Sequence, residues 1–274
     1  MKWTKHAEDA LLKVPFFVRK RVKRRVEEEA ARESANEVTL EHVLACKKRF
    51  LDNLEDEVTG YHIEACFGGS GCPNRAIEED DMVQRLDDLL SGMGIKALLK
   101  EKVKGPLKMH HEFQVIISDC PNACSRPQIA DIGLIGARRP LISNERCSGC
   151  GACIAICRES AISLADEVGG PLIDYCKCLS CGQCINVCPT GAIKESNMGY
   201  RILLGGKLGR HPQFGTELEG IFSKDKTLRI VENCMKGYML HNIAGERFGD
   251  VLNRIGHEEF LLSCFKENQR RMVF

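Results

Sequence analysis

Net charge is almost missing from this sequence: 39 lysines and arginines face 38 aspartates and glutamates in 274 residues. A chain so balanced has no overall field to draw it to nucleic acid or an acidic lipid surface, so neither is expected as a partner, although local basic runs keep their own pull. Also missing is any run near the ~20 apolar residues of a membrane-crossing helix, so no membrane span is expected. The opening MKWTKHAEDALLKVPFF scatters charges along its length and lacks the uninterrupted apolar stretch of a secretory signal, which makes a reducing, cytoplasmic setting the expectation. Cysteine, by contrast, is abundant at 16 residues. In a reducing compartment thiolate metal ligation explains that number better than a disulfide framework does.

The length suits one large domain or two to three small ones. Residues 1 to 55 read as a small helical module, with few glycines in RKRVKRRVEEEAARES and a second helix through Leu40, Val43, Leu44, Leu51 and Leu54, capped by Thr39. Lys23, Arg24 and Arg25 stand four residues before Glu27, Glu28 and Glu29, a spacing that pairs charges along a solvated helix face; docking of a partner is the other reading of that face. Met82, Val83, Leu86, Leu89, Leu90 and Met93 predict a helix loosened at its end by Gly92 and Gly94. Phe113 to Ser118, Ile132 to Ile135 and Ile202 to Leu204 read as strands. Late helices are predicted over residues 228 to 243 and 246 to 255. This order gives an α+β domain interrupted by a cysteine-dense block, residues 147 to 188. The expected divisions are 1–55, 56–140, 141–198 and 199–274, the second and fourth being two parts of one domain.

CSGCGACIAIC supplies Cys147, Cys150, Cys153 and Cys157, and CLSCGQCINVC supplies Cys178, Cys181, Cys184 and Cys188. Each run has C-x2-C-x2-C-x3-C spacing, and together they resemble the bacterial two-cluster ferredoxins, in which the fourth cysteine of each run crosses to the other [4Fe-4S] cluster. On that pattern Cys157 joins the second cluster and Cys188 the first. Gly149, Gly151 and Gly182 let the backbone bend around the cubes. A zinc ribbon is the competing reading, but it asks for paired C-x2-C knuckles rather than two four-cysteine runs. Arg158 departs from the proline that often follows the fourth cysteine.

Four more cysteines form a third set: Cys66 and Cys72 in ACFGGSGCPNR, and Cys120 and Cys124 in DCPNACSRP. The C-x5-C and C-x3-C pairs resemble the cluster motif of the sirohaem-dependent sulfite and nitrite reductases, closest to the small dissimilatory-type proteins with a ferredoxin insertion. The resemblance implies a single reductase-type repeat whose third [4Fe-4S] cluster shares Cys124 with a sirohaem iron. It places Arg75, Asn122, Arg126, Arg138 and Arg139 near the ring carboxylates, with surface salt bridges an equal alternative for the last two. GYRILLGGKLGRHPQFGTEL resembles the glycine-rich stretch after the ferredoxin insertion. There Gly205, Gly206 and Gly209 would admit a flat ring, and Arg201, Lys207, Arg210 and His211 would meet ring carboxylates or a bound oxyanion. His110 and His111 read either as proton donors or as structural residues. Cys46, Cys176, Cys234 and Cys264 fall outside all three sets. The N-terminal WTKHAEDALLKVPFFVRKRVKRRVEEEAARE resembles the C-terminal domain of a light-independent protochlorophyllide reductase subunit.

The implied function is an oxidoreductase that reduces sulfite, or less readily nitrite, with electrons from a redox donor protein or small carrier. Full reductases contain two related repeats and this sequence shows the cysteine-bearing one, so a homodimer is the expected way to complete the pocket. The alternative is a non-catalytic iron-sulfur subunit whose reductase-like domain docks a partner.

Overall fold

The computed structural model describes residues 1–14, 16–33, 35–52, 58–77, 81–165 and 170–269. It contains two compact units, one of Met1–Val58 with Pro106–Met109 and the other of Thr59–Gly105 with His110–Phe274. The expected boundary at residue 55, and Leu54 of the predicted helix, lie outside the described residues.

In the first unit β1 (Lys2–Trp3) pairs in parallel with β2 (Glu37–Val38). Helices α1 (Lys5–Leu12), α2 (Phe16–Arg32) and α3 (Leu40–Asp52) accompany them, and Ala7, Val26, Ala30, Val38 and Val43 form the core. Thr39 precedes α3 as predicted, and its N–H donates to His42 Nδ1 at 2.9 Å, a reach-back cap with histidine in the place of glutamate. The charged run on α2 differs from a plain solvated face. Arg24 pairs with Glu28 at 3.6 Å, but Glu29 is buried and held by both Arg49 nitrogens at 2.6 Å. Glu27 accepts from the Trp3 indole at 2.9 Å. A carboxylate inside the core requires such a partner, because an unpaired buried charge is costly.

The second unit is built on a five-stranded sheet. Strands β3 (Tyr61–Ala65), β4 (Phe113–Ser118) and β5 (Ile132–Ile142) run parallel; β8 (Ile193–Leu204) and β9 (Thr216–Glu217) continue the sheet antiparallel. β4 is almost wholly buried, as a parallel strand covered on both faces should be. Helices α4 (Met82–Ser91) and α5 (Ile95–Lys102) lie in the connection from β3 to β4, and α8 (Lys224–His241), α9 (Phe248–Ile255) and α10 (His257–Gln269) follow the sheet. Phe113, Tyr238, Phe248 and Phe260 form an aromatic core with successive ring centroids 5.0 to 6.0 Å apart. Asp131, fully buried at the start of β5, accepts from the Gln114 N–H at 2.8 Å and from Arg247 Nη2 at 2.6 Å, which ties two strands to the start of α9. No helix among the described residues is long and apolar enough to cross a membrane.

β5 and β8 are much longer than their predicted apolar segments. They pair from Ile132↔Leu204 out to Ile142↔Ile193, with an irregularity between Arg139 and Pro140. The outer half of this arm carries Arg139, Lys194, Glu195, Ser196 and Asn197, polar residues that hide a strand from apolar periodicity. At its far end hangs the cysteine block: α6 (Ala152–Ile156), the hairpin β6 (Ile162–Ala165) and β7 (Gly170–Ile173), and α7 (Gln183–Asn186). Cys153, Ile162, Cys184 and Ile193 are its core.

Candidate functional site

Cys66 directly follows β3, and Cys120 comes two residues after β4. Because these strands are parallel neighbours with Ala65 opposite Ile117, both cysteine-bearing loops leave the same edge of the sheet. The Cys66 N–H donates to the Ile117 carbonyl at 2.9 Å, and the Asp119 N–H donates to Cys66 Sγ at 3.3 Å. The Asp119 carbonyl accepts from Ala76 and Ile77 at 2.9 and 3.3 Å, bringing the loop after Cys72 down on the same place. Its carboxylate holds Arg75 Nε at 3.0 Å. Gly68 and Gly136 both lie so close to Asp119 that a Cβ at either would collide with it. The Cys120–Cys124 turn places Ala123 at φ 52° and Arg126 at φ 63°. Ser125 steadies it by donating to the Ile117 carbonyl at 2.6 Å.

These contacts bring the third set together. Burial pushes the Cys120 thiol up, the Asn122 N–H opposes that rise, and the neighbouring charges of Cys72, Cys124 and Cys66 add to it. In the inserted block the two runs interleave. Cys147, Cys150, Cys153 and Cys188 line one cavity, while Cys157, Cys178, Cys181 and Cys184 line another. Burial pushes Cys184 up to about 12, with Cys181, Cys178 and Cys157 contributing next. Cys153 is raised by burial and by Cys188 and Cys147. Thiols that resist ionisation in a shared ring are stabilised as thiolates by a bound metal centre.

The donor set suits iron-sulfur cubes. Backbone N–H groups reach the sulfurs in both inserted sets: Gly149 to Cys147 at 3.4 Å, Ile193 to Cys188 at 3.4 Å, Ala161 to Cys157 at 3.3 Å and Ser180 to Cys178 at 3.4 Å. No group of three or more His, Cys, Asp or Glu among the described residues has the closeness required by one metal ion. The second cavity is also lined by Cys120, Pro121 and Asn122, so the Cys157 set and the third set adjoin. Arg138 reinforces this junction: its N–H donates to the Ser180 carbonyl at 2.7 Å.

The predicted cations are placed less uniformly. Arg201 is engaged in a bidentate pair with Glu217 at 2.6 and 2.7 Å, and Lys207 is buried against Asp250. Arg138 binds Glu195 at 2.7 Å and Asn186 at 3.0 Å, and Arg139 lies 4.7 Å from the centre of the Tyr175 ring. Asn122, Cys124, Arg126, Arg210 and His211 are exposed. Gly205 and Gly206 lie tight against protein atoms: a Cβ on the first would strike Leu252, and on the second the Gln128 and Ala130 carbonyls. His110 and His111 precede β4, so a six-residue strand, ~20 Å long, separates them from Cys120. Sequence reasoning missed Asp119 and Gly68; the only available signal was their closeness to the cysteines.

Comparison with known proteins adds an independent line. The family model for the nitrite and sulphite reductase 4Fe-4S domain matches residues 61–271. That for the proto-chlorophyllide reductase 57 kD subunit matches residues 3–47. The coenzyme F420-dependent sulfite reductase of Methanocaldococcus jannaschii is 35% identical over 199 residues, which cover 72% of this chain and 29% of that protein. A subunit of the anaerobic sulfite reductase of Salmonella typhimurium is 30% identical over 115 residues, covering 40% of this chain and 29% of the relative. This chain therefore spans less than a third of the length of these curated relatives. The crystal structure of dissimilatory sulfite reductase I shares the fold with a TM-score of 0.50 and 18% identity, covering 79% of this chain and 56% of that one.

Proposed function

The chain belongs to the nitrite and sulphite reductase 4Fe-4S domain family, and from that membership we propose that it is a sulfite reductase-like oxidoreductase with three [4Fe-4S] clusters and a sirohaem. Cys147, Cys150, Cys153 and Cys188 hold the outer cluster. Cys157, Cys178, Cys181 and Cys184 hold the inner one, and Cys66, Cys72, Cys120 and Cys124 the third. The observation that carries this reading is the shared cavity, in which the Cys157 set and the Cys120 loop are neighbours. Electrons that pass from the outer to the inner set would then be relayed toward Cys124.

When bound, a sirohaem supplies an iron at which sulfite can be reduced by six electrons, its three oxygens leaving as water. The protein's own part is to position and to supply charge. Cys124 is exposed, Asn122 and Arg126 flank it in sequence, and Arg210 and His211 are the exposed candidates for holding an anion. Anaerobically prepared protein loaded with iron, sulfide and sirohaem should show sharp visible bands and should oxidise reduced methyl viologen on adding sulfite. Loaded protein with neither property defeats the reading.

One observation favours the alternative of an electron-transfer subunit. Arg201, Lys207 and Arg138 already hold Glu217, Asp250 and Glu195, which diminishes the cationic charge left for sulfite. Colour separates the two: clusters alone give broad brown absorption without the tetrapyrrole bands.

A further inference from the structure

The two cysteine runs of the inserted module are near-repeats, and their differences are informative. Gly151 at φ 72° and Gly182 at φ 74° each precede a short helix whose second residue is the buried cysteine, Cys153 or Cys184. Each set receives matching backbone N–H groups, from Gly149 and Ile193 in the outer set and from Ser180 and Ala161 in the inner one. The first helical residue breaks the repeat: it is Ala152 in one run and Gln183 in the other.

Gln183 lines the cavity of the inner cysteines. Its Nε2 is fully buried and has no hydrogen-bond partner among the described residues. A buried amide left unsatisfied is destabilising, so its presence calls for an acceptor. The NH2 group is donor-only, which selects an electron-rich occupant for the cavity. Arg138 is nearby as well, but Glu195 at 2.7 Å offsets its charge; the outer set has the Thr190 hydroxyl 3.9 Å from Cys188 Sγ, on an exposed residue, so Gln183 is the fully buried side-chain donor that sets the inner set apart.

We propose that the Gln183 side-chain amide donates a hydrogen bond to a sulfur of the cluster held by Cys157, Cys178, Cys181 and Cys184, holding that cluster at a higher reduction potential than the outer one. Donors to cluster sulfur stabilise the more negative, reduced form. One electron then moves downhill from outer to inner cluster; the first is oxidised as the second is reduced, and no bond or proton changes place. The inference rests on the cluster assignment above and is independent of whether sulfite is the substrate.

The test is a potentiometric titration of the full-length, anaerobically reconstituted protein, followed by electron paramagnetic resonance. Cys150→Ala and Cys181→Ala proteins assign the signals, since each alters one cluster. Gln183→Leu removes the donor and Gln183→Glu replaces it with an acceptor at nearly the same size. In both, the inner midpoint should shift to lower potential while the outer stays in place. Unchanged midpoints, or a shift confined to the outer cluster, overturn the proposal. Loss of the inner cluster in both variants also overturns it, because the hydrogen bond is assigned to tuning and not to retention. Wild-type protein that takes up no clusters sinks the cluster assignment, and this inference with it.

Discussion

At the scale of single residues, Asp119 organises the third cysteine set by four routes: its N–H reaches Cys66, its carbonyl receives Ala76 and Ile77, its carboxylate holds Arg75, and Gly68 and Gly136 leave space for it. The space at Gly68 is the easiest to remove. Gly68→Ala would drive its methyl group into the Asp119 carboxylate, and the expected result is loss of roughly one cluster's worth of iron with both ferredoxin-type resonance signals retained. Retention of all the iron would show that the loop relaxes around the methyl group. Cys124→Ser makes a sharper prediction: the tetrapyrrole bands and the third cluster should change together, since one sulfur is assigned to both. A change confined to the ferredoxin signals would refute that assignment.

At the scale of elements, the interleaving of the two runs has a direct test. Cys157 follows α6 in sequence but shares its cavity with Cys178, Cys181 and Cys184, so Cys157→Ala should perturb the inner cluster and Cys188→Ala the outer, each seen in its own resonance signal. The join of sheet to α9 is equally exposed to test. Asp131→Ala strands the Arg247 guanidinium beside a buried cavity, which should cost about 3–5 kcal/mol, on the order of 10 °C in the thermal midpoint. A drop of a degree or two in a melting curve would show that water reaches Arg247. The cysteine spacings made the grouping of the cysteines legible in sequence, because a shared site constrains residue type and interval, and the cavities they line follow the same grouping. Apolar periodicity likewise exposed β4 and most of α4, α8 and α9. It failed where structure comes from backbone pairing of polar residues, as in the outer β5–β8 arm, and where a left-handed glycine restarts a helix, as Gly94 does before α5. Ion-pair partners were illegible for another reason: Glu217 is 16 residues from Arg201, and Asp250 is 43 from Lys207, separations that no local pattern encodes.

At the scale of the whole molecule, the proposed cofactor seat at Cys124 is open to solvent. Each thiol set has one buried cysteine, Cys120, Cys153 or Cys184, yet Cys124 is exposed along with Asn122 and Arg126. A flat tetrapyrrole seated on Cys124 would bury one face against the loop and leave the other open to water, which weakens every electrostatic contact to a bound anion. On the proposed function another protein surface would cover that face, and a second copy is the simplest source, since two-fold pairing is the commonest closed assembly. The tetrapyrrole-loaded protein is therefore expected to sediment at twice the mass of one chain, whereas Cys124→Ser protein, without the sulfur proposed to hold the ring, should shift toward monomer. With both near electrical neutrality, long-range repulsion between copies is small, so added salt should barely alter the equilibrium. A loaded protein that sediments strictly as a monomer would remove the second copy as the cover, and sulfite turnover by that monomer would show that one open face suffices.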